Sequence, residues 1–124
     1  MVKRQNFLKA LERLQEALEF PYSVIVRDAV IQRFEFTFEL AWKALRGYLK
    51  EIHGLVCNSP KQCFREGFSL DLYNEQTTAA LLKMVDDRNE TTHTYDENKI
   101  EEIYKNIKNE YYDAIKQLYQ LIGE

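Results

Sequence analysis

The chain is poor in residues that interrupt a helix. Only four glycines and two prolines occur in 124 residues, while 45% of the residues are apolar. That balance excludes a turn-rich all-β protein and a disordered one. Long hydrophobic runs are also missing: nothing approaches the roughly 18 consecutive apolar residues of a membrane helix. Met1-Val2-Lys3-Arg4-Gln5 leads into an amphipathic pattern and not into a signal-peptide core. The expected compartment is therefore the cytoplasm, with no membrane partner. A basic surplus is absent as well. A formal net charge of -3 excludes a protein that holds nucleic acid by bulk charge, so any RNA contact has to be local. The two cysteines, Cys57 and Cys63, lack the spacing of a zinc site or a CxxC redox motif and read as ordinary thiols. No Gly-rich phosphate loop and no metal-binding histidine set appears, so no metal or cofactor is expected. Asn89-Glu90-Thr91 matches a glycosylation sequon, which is idle without a secretory route.

What is present is helical periodicity, read as one all-α domain over residues 1–124. A first helix over 3–19 places Phe7, Leu11, Leu14 and Leu18 on one stripe and stops before Pro21. A second, over 23–53, carries a broad apolar arc with Val30, Ile31, Phe34, Phe38, Ala41, Trp42, Leu45, Leu49 and Ile52. A polar stripe flanks the arc, and beyond it lie Ala29, Phe36, Leu40 and Gly47. This additional apolar strip predicts a homodimer seam near Phe36 and Leu40, unless the third helix or the termini cover it. His53-Gly54 reads as a helix C-terminus, with His53 at the negative end of the dipole. Ser59-Pro60-Lys61-Gln62 announces a short third helix over 60–67, ended by Gly67. A fourth runs from 73 into Arg88, and a fifth over 97–122 repeats Ile100, Ile103, Tyr104, Ile107, Tyr111, Ala114, Ile115, Leu118 and Leu121. The expectation is a bundle of about five helices.

Between the last two helices stands Arg88-Asn89-Glu90-Thr91-Thr92-His93-Thr94-Tyr95. Arginine offers a permanently charged planar fork of donors, and histidine transfers protons near neutral pH. In a metal-independent cleavage of RNA, His93 suits either proton-transfer role. Arg88 would neutralise phosphoryl charge, and Asn89 would orient the phosphate or the imidazole. One histidine leaves the second proton-transfer role unfilled, and a two-fold dimer that joins two copies of the cluster would supply it. Arg88 also lies on the apolar stripe of its helix, so it needs a carboxylate or a bound phosphate to offset desolvation. A bland reading competes: Arg88 paired with Asp86, Asp87 or Glu90, His93 capping a helix, and Tyr95 in the core. Glu35, Glu39 and Lys43 form an i, i+4 series that reads mainly as a salt-bridged stripe, with Glu39 available to orient Arg88 or His93.

The run Arg27-Asp28-Ala29-Val30-Ile31-Gln32-Arg33-Phe34-Glu35-Phe36-Thr37-Phe38-Glu39-Leu40-Ala41-Trp42-Lys43, then Ser59-Pro60, then Asp87-Arg88-Asn89 through His93-Thr94-Tyr95, resembles the nucleotidyltransferase substrate-binding proteins. These form the HepT-like branch of the HEPN superfamily. The resemblance covers nearly the whole chain. It implies an antiparallel helical bundle with a four-helix core that dimerises, and a small nucleotidyltransferase, MNT, as partner. Two roles come with the family: the substrate-binding subunit of a two-part nucleotidyltransferase, or a toxin ribonuclease whose MNT antitoxin uses ATP to add AMP to a tyrosine. Arg88 and His93 match the family's catalytic arginine and histidine, Asn89 the polar residue after the arginine, and Tyr95 the modified tyrosine.

Overall fold

The computed structural model describes residues 4–92 and 96–122, and every described element is helical. These are α1 (Arg4–Glu19), α2 (Val24–His53), α3 (Pro60–Ser69), α4 (Glu75–Glu90), α5 (Glu97–Asn106), a π-turn (Ile107–Tyr111) and α6 (Tyr112–Ile122). The last three follow without a break and fill the span expected of one final helix.

Local chemistry sets the boundaries. The Ser23 side chain accepts the Val26 N–H at 3.0 Å and starts α2. At its other end Gly54 takes a left-handed φ of 68°, and the Gly54 and Leu55 N–H groups donate to the carbonyls of Lys50 and Leu49. These bonds satisfy carbonyls that a bare helix end would leave open. At α3 the Ser59 hydroxyl accepts from Gln62 N–H at 3.2 Å, while the Gln62 side chain accepts from Asn58 N–H at 2.9 Å. Gly67 does not end α3, which continues to Ser69. Its function is steric: a Cβ at position 67 would overlap the Tyr73 hydroxyl, which donates to the Phe64 carbonyl at 2.7 Å. Asn74 caps α4 through Thr77 N–H at 2.8 Å, so that helix begins at Glu75 and not at 73.

Thr37 donates to the Ala10 carbonyl at 3.2 Å and Arg33 to the Arg13 carbonyl at 2.7 Å, so α1 and α2 run antiparallel. Thr77 meets Gln117, Lys83 meets Glu110 and Asp87 meets Tyr111, so α4 runs antiparallel to the final helical span. The result is an up-and-down bundle of α1, α2, α4 and α5–α6, with α3 packed on α2 and α4. Its core joins Phe7, Leu14, Phe34, Leu45, Leu81, Met84, Ile103, Tyr111 and Ile115.

Two further expectations are corrected. Ile52 is 64% exposed and stands outside the core. Cys57 and Cys63 are not free thiols but a disulfide, with Cα atoms 5.3 Å apart and both side chains buried. The Ser59-Pro60 start of α3 folds the chain back on itself and brings the two within bonding range. Pairing depends on that distance and not on a motif spacing.

Candidate active site

Arg88 lies in the last turn of α4, where the 22%-exposed side chain reaches the neighbouring α2. Its Nη1 is 3.4 Å from Glu35 Oε2. The Thr91 hydroxyl donates to the same Glu35 oxygen at 2.6 Å and lies 2.7 Å from the Arg88 carbonyl. Glu35 therefore gathers both the catalytic candidate and the first residue after its helix. The Arg88 Nε is buried and has no hydrogen-bond partner among the described residues. Asn89 is exposed beside it, its carbonyl accepting from Thr92 at 3.1 Å. His93 and Tyr95 lie outside the described residues.

The local acids do not take Arg88. Asp86 pairs with Lys61 at 2.8 Å. Asp87, only 4% exposed, accepts from Tyr111 at 2.5 Å and from Asn106 at 3.0 Å, and Lys99 stands 3.5 Å from its other oxygen. Burial, followed by the bond to Asp87, pushes the Tyr111 phenol well above its ordinary pKa. Burial works against the charge of Lys99, but Asp87 and Glu102 outweigh it and raise the pKa of its ammonium. Asp87 thus ties the end of α4 to α5 and the π-turn, and so fixes the backbone from which Arg88 projects. π-turns occur often at functional sites.

Glu39, read as part of a salt-bridged stripe and as available to orient Arg88 or His93, accepts from the Trp42 indole at 3.3 Å and pairs with Lys43 at 3.6 Å. The acid one turn earlier, Glu35, faces α4 instead. Arg46 stacks its guanidinium 4.9 Å from the Trp42 ring centroid, farther along α2.

Downstream of the cluster, Asp96 is the N-cap of α5, its side chain accepting from Asn98 N–H at 2.9 Å. Glu97 and Glu101 then meet Arg27 Nη1 at 2.7 and 3.0 Å, and Asp28 meets Arg27 Nη2 at 2.9 Å. The chemistry-bearing connection is therefore held to α2 on both sides, through Glu35 before it and Arg27 after it.

Sequence reading missed Glu35 as a partner, together with Asp87, Thr91 and Arg27. For Glu35 a signal existed: an arginine on an apolar stripe needs a carboxylate, and Glu35 and Glu39 were the acids at the right edge of α2. Choosing between them required the packing angle of α4. Arg27 gave no such signal, because a charge in a first helical turn is ordinary.

The expected dimer strip is partly open. Phe36 is 64% exposed and Leu40 is half-buried. Both line a groove of about 530 Å³ between α1 and α2, edged by Lys9, Arg13 and Arg33. Among the described residues no group of acidic, histidine or cysteine side chains is arranged to hold a metal, and no helix is long and apolar enough to cross a membrane.

Among curated proteins, none matches the sequence. A crystal structure of a protein from Thermus thermophilus is 40% identical, with a TM-score of 0.85 and a match covering 90% of this chain and 94% of that one. The tri-AMPylated Shewanella oneidensis HEPN toxin, in complex with MNT antitoxin, is 18% identical with a TM-score of 0.76, the match covering 96% of this chain and 92% of that one. It shares the fold. The family model described as nucleotidyltransferase substrate binding protein like matches residues 3–124, and with the helical bundle and the Arg88 cluster in place the chain belongs to that family.

Proposed function

We propose that this protein is the HEPN-type partner of a minimal nucleotidyltransferase and acts as a metal-independent ribonuclease of the toxin kind, inhibited when the partner adds AMP to Tyr95. The observation that carries the reading is Arg88. A partly exposed guanidinium, its Nη1 3.4 Å from Glu35, stands at the helix end from which the His93 connection departs. Such a group receives a phosphodiester and stabilises charge on its non-bridging oxygens. The acidic chain is no obstacle, because only a local positive potential is needed.

Homodimerisation belongs to this proposal, with the seam at Phe36 and Leu40 bringing two clusters to one cleft. The exposed Phe36 and the apolar floor of its groove support it. RNA and a cytoplasmic MNT-type antitoxin are the partners, and ATP is consumed by the antitoxin. AMP on Tyr95 would set a bulky anion near Arg88 and compete with the RNA phosphate for the same donors.

Purified protein, free of the nucleotidyltransferase, should cleave RNA, while Arg88→Ala and His93→Ala should each lose at least about 100-fold in rate. Cleavage by wild type no faster than by His93→Ala removes the ribonuclease reading.

The family's name favours a second reading, a non-catalytic subunit that presents a substrate to the transferase. Incubation with the partner and ATP separates the acceptor question: mass should rise in steps of AMP in wild type and stay unchanged in Tyr95→Phe. An unchanged rise in Tyr95→Phe places the acceptor elsewhere.

A further inference from the structure

We propose that Glu35 is the general base of the cleavage, an inference that rests on the ribonuclease reading and assigns the proton-transfer role that one histidine leaves empty. Cleavage through the ribose hydroxyl needs a base for the attacking oxygen and an acid for the leaving oxygen. Among the described residues of the cluster, Glu35 is the one carboxylate in contact with Arg88. Asp87 is buried and committed to Tyr111, Asn106 and Lys99, and Asp86 is turned to Lys61.

Geometry favours Glu35 for three reasons. One of its oxygens, Oε2, is held by Thr91 at 2.6 Å and lies 3.4 Å from Arg88. Its other oxygen, Oε1, has no hydrogen bond or ion pair with any described residue. At 26% exposure the side chain is open to a substrate yet anchored on the middle of a long helix. A phosphodiester drawn to the partly exposed Arg88 side chain thus arrives beside a carboxylate in contact with the same guanidinium.

The step balances. Glu35 takes the proton of the 2′-hydroxyl, the O2′–P bond forms, the P–O5′ bond breaks, and protonated His93 gives its proton to O5′. The products are a 2′,3′-cyclic phosphate and a 5′-hydroxyl. The base then comes from the same protomer as the arginine, and a second copy is not required to supply it.

The test is Glu35→Gln, whose amide oxygen still accepts from Thr91 and Arg88 but takes up no proton. The charged groups around position 35 are Arg88 from α4 and, one turn along α2, Glu39, already paired with Lys43; the α5 acids Glu97 and Glu101 face Arg27, two turns before it. The expected result is a fall in kcat of about 100-fold or more, KM within about threefold of wild type, and loss of the acidic limb of the kcat/KM pH profile. Glu35→Asp, run beside it, keeps that limb and recovers part of the rate. Glu35→Gln with near-wild-type kcat and an intact acidic limb overturns the assignment and leaves Glu35 as a support for Arg88. A folded Glu35→Asp without the limb overturns it equally. Wild type no faster than His93→Ala fails at the earlier step, and the inference falls with the ribonuclease reading.

Discussion

Arg27 is a charged side chain almost wholly withdrawn from water, 4% exposed, with carboxylates from Asp28, Glu97 and Glu101 around it. Burial opposes its charge, but the hydrogen bonds to Glu97, Glu101 and Asp28 more than reverse that and hold its pKa above the ordinary arginine value. Glu101 shifts the other way: bonds from the Tyr22 hydroxyl and Arg27 hold it below the ordinary carboxylate value of 4.5. A folded-state pKa depressed in this way gives stability that is fully present above the unfolded value and lost as pH falls through the folded one. Thermal melts of the wild type should therefore drop as pH goes below about 4.5, and Arg27→Met should flatten part of that dependence. At neutral pH Arg27→Met should lower the midpoint by about 5 °C, because the carboxylates it leaves behind are open enough for water to replace it. An unchanged midpoint and an unchanged acid slope would show that the cluster contributes nothing. None of this was legible from one sequence, where Arg27 and Glu101 stand far apart. Arg88 was legible, since a fixed cation on an apolar stripe demands an explanation at any position.

The helices themselves were read within a few residues, because capping and periodicity are local. The exceptions have local causes of another kind. Gly67 looked like a terminator but is a clearance for the Tyr73 ring, a contact that only the folded turn creates. Gly67→Ala should cost about 1–3 kcal/mol in denaturant unfolding through overpacking, and a change under about 0.5 kcal/mol would mean Tyr73 moves aside freely. The Cys57–Cys63 bond closes a short loop, so its reduction should remove about 2 kcal/mol, read as a lower melting temperature with reductant and no such effect in Cys57→Ser. The final helical span hides its π-turn in plain sight. Ile103, Ile107, Tyr111 and Ile115 are all buried at steps of four, and each such step overshoots a regular helical turn by about 40°. The wider turn at Ile107–Tyr111 takes up that drift and keeps the four on one face. On the proposed ribonuclease function, Asp87→Asn, which weakens the junction with that turn, should slow RNA cleavage about tenfold at little change in KM, checked by steady-state kinetics.

Across the whole molecule the exposed strip on α2 bears on association. The bundle covers its own core, yet Phe36 stays 64% exposed above an apolar groove whose rim carries Lys9, Arg13 and Arg33. Phe36→Asp should shift a dimer to monomer in light scattering at micromolar concentration while leaving the melting temperature of the protomer nearly unchanged. A wild type already monomeric there removes the seam. The sequence exposed this strip because a helix with apolar residues beyond its core arc cannot bury them all within one small bundle. It did not show where the strip lies relative to Arg88, which depends on how α4 crosses α2.

The two attachments of the connection after α4 to α2 also act as a ruler. Glu35 and Arg27 are eight positions apart on one helix, or about 12 Å along its axis. From Thr91 to Glu97 the chain takes six steps, a maximum reach of about 20 Å at full extension. Removing two of the intervening residues would cut the reach to about 14 Å, close to the span itself. Relatives that keep both attachments should therefore tolerate insertions here far more readily than deletions beyond two residues.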